Sequence, residues 1–139
     1  MEEKLSISVL IKRASLQLEK QANAMLAPLD LTTSQCKILK YLYRQPNLSV
    51  NQKQIEDQFS MTNPTVTGII QNLEKKELVY RQPNPDDARS KVLGLTSDSL
   101  ALKSELDHIW QTIDNQFTNP LTDEQKEVLR HLLTKLAEE

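Results

Sequence analysis

Glycine is almost absent, with two in 139 residues. That excludes Gly-rich phosphate loops, and it fits poorly with an all-β sandwich, whose many tight turns draw on glycine. A single cysteine excludes an internal disulfide framework and any Cys-rich zinc module. No run approaches the ~18 consecutive apolar residues of a membrane span, so no membrane partner is expected. Residues 1–17 lack the basic start and unbroken apolar stretch of a secretory signal. These absences lead to a cytoplasmic expectation, where a lone reduced cysteine is normal. What is present is ordinary for a folded chain: 38% hydrophobic and 26% charged residues. A chain of this length suits one domain and can bury roughly two-thirds of its unfolded surface.

Charge of one sign is also lacking overall, with a formal net charge of −2, but its distribution is uneven. Residues 1–44 carry seven basic against four acidic side chains, residues 45–95 six of each, and residues 96–139 four against nine. A polyanionic partner should avoid the last third. Binding to nucleic acid would have to rest on local placement and not on bulk charge.

Apolar periodicity and breakers divide the chain into six helices and a hairpin. Ile7, Leu10, Ile11, Ala14, Leu18, Ala22 and Met25 form one helical face, giving a first helix over 3–26 that Pro28 stops. Thr32 or Thr33 caps a second helix, which buries Ile38, Leu39, Leu42 and Tyr43 and closes at Pro46. Leu48-Ser49-Val50 reads as a short extended stretch. Asn51 with Gln54 fits a capping box opening a third helix through Phe59. After the turn Ser60–Pro64, a fourth helix runs to about Lys76 with Val66, Ile69, Ile70 and Leu73 inward. Leu78–Arg81 and Lys91–Leu95 have strand composition, and the polar segment between them reads as a long loop at the tip of a hairpin. Ser97 or Asp98 caps a fifth helix with the stripe Leu102, Leu106, Ile109, Trp110, Ile113 and Phe117. Thr122 opens a sixth, with Asp123 and Glu124 favourably placed in its first turn.

Two short helices, a tight turn and an immediate β-hairpin are the order of a winged helix-turn-helix. A helix fits the major groove, and a protruding hairpin can reach the backbone or the adjacent minor groove of a duplex. Thr62, Asn63, Thr65, Thr67 and Gln71 on the fourth helix carry hydrogen-bonding groups suited to base edges and phosphates. Capping alone would account for Thr62 or Asn63, but not for Thr65, Thr67 and Gln71 together.

Leu73-Glu74 followed by Leu78-Val79-x-Arg81, then Pro85-x-Asp87-x-Arg89 and Leu95-Thr96, resembles the wing signature of the MarR family of bacterial transcriptional regulators. Pro64-Thr65-Val66-Thr67 resembles its recognition helix, and Leu31-Thr32 with Gln35 and Leu39 its second-helix opening. Glu77 departs from the pattern where many relatives have Gly, and Cys36 where a bulkier residue is common. The resemblance covers nearly the whole chain. It implies a mainly α fold with a small wing, a DNA-binding lobe over 30–97 and dimerisation helices over 1–29 and 98–139. It also implies a homodimer on an inverted-repeat operator, repression as the default, and release by a small-molecule effector. Arg89 is then the first candidate for a groove contact, with Arg81, Ser90 and Lys91 completing the wing's share. Asp87 beside it would repel phosphate and is read as a wing-stabilising partner of an arginine such as Arg81. Dimerisation is also suggested by the residues alone: Ile7, Leu10, Ile11, Val128, Leu129, Leu132, Leu133 and Leu136 are more apolar surface than one such chain can cover.

Other chemistries find little support. His108 and His131 sit on different helices without metal-ligand spacing, so no metal or cofactor is expected. Cys36, at helical spacing with Leu39 and Tyr43, reads as packing and not as an oxidant sensor. Trp110, Tyr41 and Tyr43 read as core and not as the walls of an effector cleft. No nucleophile turn or Gly-rich loop suggests catalysis. The rival of another class is an all-helical adaptor whose winged helix binds protein instead of DNA.

Overall fold

The structure, a computed structural model, describes residues 4–138. Its elements are α1 (Ile7–Leu26), a 3-10 turn (Ala27–Leu29), α2 (Thr33–Tyr43), β1 (Val50–Asn51), α3 (Gln52–Phe59), α4 (Asn63–Lys75), β2 (Val79–Asn84), β3 (Asp87–Leu95), α5 (Ser97–Phe117) and α6 (Asp123–Ala137). The fold is mainly α with a three-stranded antiparallel sheet in the order β1-β3-β2. Residue 3, where the sequence starts the first helix, lies outside the described residues. Among those described, the helix begins only at Ile7, because Ser6 Oγ accepts the Val9 N–H at 3.3 Å and ends the non-helical approach.

Local capping chemistry sets the other helix starts. Thr32–Gln35, Asn51–Gln54 and Thr122–Gln125 each form a reciprocal capping box, opening α2, α3 and α6. The cap of α5 is Thr96, not Ser97 or Asp98: its Oγ1 accepts the Ser99 N–H at 3.2 Å and donates to the Glu77 carbonyl at 2.7 Å. One hydroxyl thereby ties the start of α5 to the end of α4. That end is a Schellman closure, with Leu78 N–H on the Leu73 carbonyl at 3.0 Å and Glu77 N–H on the Glu74 carbonyl at 2.9 Å. Glu77 takes φ 59°, the left-handed position that glycine fills at least strain, at about 1 kcal/mol.

The hairpin is longer than its composition suggests. Residues expected in a loop continue as strand on both sides, and the turn at the tip is Pro85-Asp86 alone. Pro83 is compatible because β2 is an edge strand, where a missing N–H breaks no second ladder. Pairing runs from Val79↔Leu95 to Pro83↔Lys91, then jumps to Asn84↔Asp87, so Ala88, Arg89 and Ser90 form a bulge. At Tyr80↔Gly94 the tyrosine ring lies where a side chain on Gly94 would stand, which explains one of the two glycines.

The chain separates into two compact units, one running from Leu26 to Asp107 and the other formed by the chain up to Met25 and from His108 onward. The Leu26–Asp107 unit holds most of the buried core, with Ile38, Leu39, Ile55, Val66, Ile70 and Leu73 fully enclosed. Each such side chain contributes about 1.5–3 kcal/mol. Cys36 is fully buried among them. Tyr41 meets Phe59 edge to face with ring centroids 5.8 Å apart. The other unit buries Ala22 and Ile113, whereas Ile7, Leu10, Ile11, Val128, Leu129, Leu132, Leu133 and Leu136 are all exposed.

Tyr43 donates its hydroxyl to the Ser99 carbonyl at 2.6 Å, with the Lys103 ammonium 5.9 Å from its ring centre. Burial, with the negative forms of Cys36 and Asp107 nearby, pushes its pKa from 10.0 up to about 12. The folded chain therefore holds this proton more tightly than the unfolded one. The associated stability is fully present below pH 10 and is lost as pH rises through 12. Urea unfolding at pH 9 and above pH 11 should show Tyr43→Phe losing about 1 kcal/mol at the lower pH. The variant should also have a flatter alkaline decline than the wild type.

Candidate nucleic-acid interface

Between α3, α4 and the wing lies an open cleft of about 490 Å3. It brings together six residues singled out from the sequence: Asn63, Thr67, Arg81, Arg89, Ser90 and Lys91. Four cations reach it, Lys53, Arg81, Arg89 and Lys91, against one carboxylate, Glu56. Thr62 and Thr65 are exposed on the first turn of α4 beside it. Gln71 is not part of this group; it lines an adjoining, broader depression with Glu74, Glu77 and Tyr80, and Arg81 and Lys91 border both.

The turn that aims α4 is made by backbone. Ser60 takes φ 51° and its N–H returns to the Glu56 carbonyl, as does the Met61 N–H at 3.0 Å. Thr62 then occupies the cap position of α4 without capping it. Its hydroxyl pairs with that of Thr65 at 2.9 Å. The first-turn N–H groups thus remain directed outward with the positive end of the helix, the arrangement that favours a phosphate. Pro64 in that turn removes a donor that had no intrahelical partner.

The wing is braced from below. Arg81 Nε donates to Glu74 Oε1 at 2.8 Å, fastening β2 to the last turn of α4, with the two side chains 27% and 35% exposed. This corrects the expected partner of Asp87. Arg81 emerges at the base of the strand on the α4 side, while Asp87 stands at the tip, where its Oδ1 accepts the Arg89 N–H at 3.0 Å and lies 3.8 Å from Arg89 Nε. Ser90 Oγ accepts from Asn84 Nδ2 at 3.3 Å, and the Asp86 N–H donates to Asn84 Oδ1 at 3.0 Å, closing the tip turn. Asp87, Ser90 and Asn84 therefore shape the tip, and the Arg89 side chain projects from the bulge 96% exposed.

α3 also contributes to the site, through residues that no sequence motif singled out. Gln52 Nε2 donates to Thr67 Oγ1 at 2.8 Å, and Glu56 Oε2 accepts from Asn63 Nδ2 at 3.1 Å. The available signal was the capping box at Asn51, which puts Gln52 and Glu56 one helical turn apart on one face. Among the described residues no group of three or more His, Cys, Asp or Glu could hold a metal ion, and no helix is long and apolar enough to cross a membrane.

Helix, tight turn, exposed second helix and a basic, braced hairpin define a winged helix-turn-helix protein. The family model described as MarR family matches residues 31–91. The HTH-type transcriptional regulator YwoH of Bacillus subtilis is 30% identical over 122 residues, covering 88% of this chain and 87% of that one. The crystal structure of a S. aureus MepR–DNA complex superposes with a TM-score of 0.83 at 29% identity, over 96% of this chain and 97% of that one. A mutant E. coli MarR complexed with operator DNA gives 0.84 at 25% identity, over 95% and 94%. The chain belongs to the MarR family and is a DNA-binding transcriptional regulator.

Proposed function

We propose that the protein is a cytoplasmic, non-enzymatic repressor that binds an A·T-rich inverted repeat as a homodimer and is released by a small-molecule effector. The observation that carries the DNA reading is the fully projecting Arg89 on a wing braced against α4, beside an α4 first turn whose threonine cap is withheld. In this reading Thr62 and Thr65 hold phosphate. Asn63 and Thr67 face bases from the cleft, and Gln71 meets the duplex from the adjoining depression. Arg89 enters the adjacent minor groove, while Lys91 and Arg81 add charge to the cleft and Ser90 and Asp87 keep the tip in shape. Residues 30–97 form the reading lobe and the helices of 1–29 and 98–139 the dimerisation part. The exposed apolar residues of α1 and α6 support the second copy, since a stripe of that size left in water marks an interface. An operator held by two copies denies that DNA to other proteins. An effector with higher affinity for the unbound arrangement would release it by that difference in affinity.

A fluorescence titration with duplexes of random sequence and with duplexes selected by the protein tests this. Affinity should fall by about 10³-fold between 50 and 200 mM salt if some six phosphates are neutralised. The selected sites should bind at least about 10³ more tightly than random ones. Salt-insensitive or absent binding would instead favour the protein-binding adaptor.

A further inference from the structure

A carboxylate in a cleft that faces phosphate works against binding, and Glu56 stands there amid Lys53, Arg81, Arg89 and Lys91. It is held half-buried on α3, with its Oε2 3.1 Å from Asn63 Nδ2 and 3.4 Å from Gln52 Nε2. A carboxylate only accepts hydrogen bonds, so the Asn63 side chain must turn its NH2 toward Glu56 and its carbonyl oxygen away. We infer that Glu56 is a specificity-determining residue that fixes the polarity with which Asn63 meets a base, so that the position facing Asn63 is read as adenine. This deepens the DNA reading proposed above and rests on it.

With one amide hydrogen committed to Glu56, Asn63 presents one acceptor, Oδ1, and one remaining N–H. Adenine offers the complement in the major groove, an N6–H donor beside the N7 acceptor. Guanine offers two acceptors, O6 and N7, and would need two donors. Without Glu56 the amide can rotate and offer both hydrogens outward, so adenine and guanine become nearly equivalent. Gln52 does the same for Thr67. Its Nε2 donates to Thr67 Oγ1 at 2.8 Å, so that hydroxyl directs its own hydrogen elsewhere, as a donor. The negative charge has a second effect, lowering affinity for any phosphate that approaches without the matching base. Glu56 acts through Asn63 and is a positioning residue.

The test measures base preference at every half-site position for full-length wild type, Glu56→Gln, Asn63→Ala and the double variant. Random-duplex affinity is recorded in parallel at several salt concentrations, and circular dichroism confirms folding. Asn63→Ala should flatten one position. Glu56→Gln should cut the adenine-over-guanine preference at that same position about tenfold. It should also raise random-duplex affinity severalfold and steepen the salt slope by about one unit. In the double variant Glu56→Gln should add nothing at that position but keep its effect on random duplex. A purely structural role would lower affinity for all duplexes alike. Unchanged base preference in Glu56→Gln, or Asn63→Ala flattening no position, overturns the inference while leaving the DNA reading intact. A wild type that discriminates among no duplexes overturns both.

Discussion

Leu132→Lys with Leu136→Lys should yield a folded monomer that binds its operator about 10²–10⁴-fold more weakly than the wild type. In the single chain these leucines are 50% and 67% exposed, and among the described residues none of α6 is buried. The core of the Leu26–Asp107 unit is therefore untouched by the change. At the interface proposed above the same residues become interior. Each leucine then loses about 1.5–3 kcal/mol of burial in each copy, and the ammonium groups must be desolvated besides. Once the copies separate, the second half-site is no longer reached intramolecularly, which removes the gain in effective concentration. Lysine is chosen because added positive charge should by itself strengthen binding to DNA. A loss of affinity then reports assembly and not electrostatics. Sedimentation velocity and operator titration decide it: a double variant that remains dimeric and retains full affinity refutes the terminal helices as the interface.

What could be read in advance was local chemistry. Thr32 with Gln35, Asn51 with Gln54 and Thr122 with Gln125 are each three residues apart, and the backbone of one helical turn brings them together without outside help. The wing was legible at its base, where Leu78–Arg81 and Lys91–Leu95 have strand composition, but not at its tip. Pro83 and Pro85 look like loop residues, and only the sheet order, which leaves β2 at an edge, makes Pro83 acceptable in a strand. The Arg81–Glu74 pair was hidden for a related reason. Asp87 lies in the same hairpin and was the obvious partner by sequence, whereas Glu74 becomes a neighbour only through the left-handed turn at Glu77. The Glu56–Asn63 contact likewise depends on the turn at Ser60 folding the first turn of α4 back over α3. The excess of apolar side chains was legible, and the structure leaves it exposed in the unit that buries little of its own.

Arg89→Ala should weaken operator binding by about 1–3 kcal/mol, and most of the loss should appear as lost preference for A·T pairs flanking each half-site. The Arg89 side chain lies in a three-residue bulge at the wing tip and is 96% exposed. Its backbone N–H is held by Asp87, so the side chain extends from a fixed base instead of a floppy one. Asp87 lies 3.8 Å from its Nε in the free chain, a loose and exposed pair of little energetic worth that a phosphate or groove edge can replace. Narrow minor grooves concentrate negative potential and occur in A-tracts, so an extended arginine selects them without reading a base directly. The recognition helix leads to the same composition. Thr62, Asn63, Thr65, Thr67 and Gln71 include no arginine or lysine, the commonest readers of guanine, whereas asparagine and glutamine match adenine and the threonine methyl packs on that of thymine. Two-fold symmetry sets half-site centres about one helical turn, roughly 10 bp, apart. Selection from a random duplex library by wild type and by Arg89→Ala should therefore yield A·T-rich inverted repeats whose flanks lose their bias in the variant. G·C-rich half-sites, or an Arg89→Ala protein of unchanged affinity, would show that the wing and α4 meet DNA through other residues.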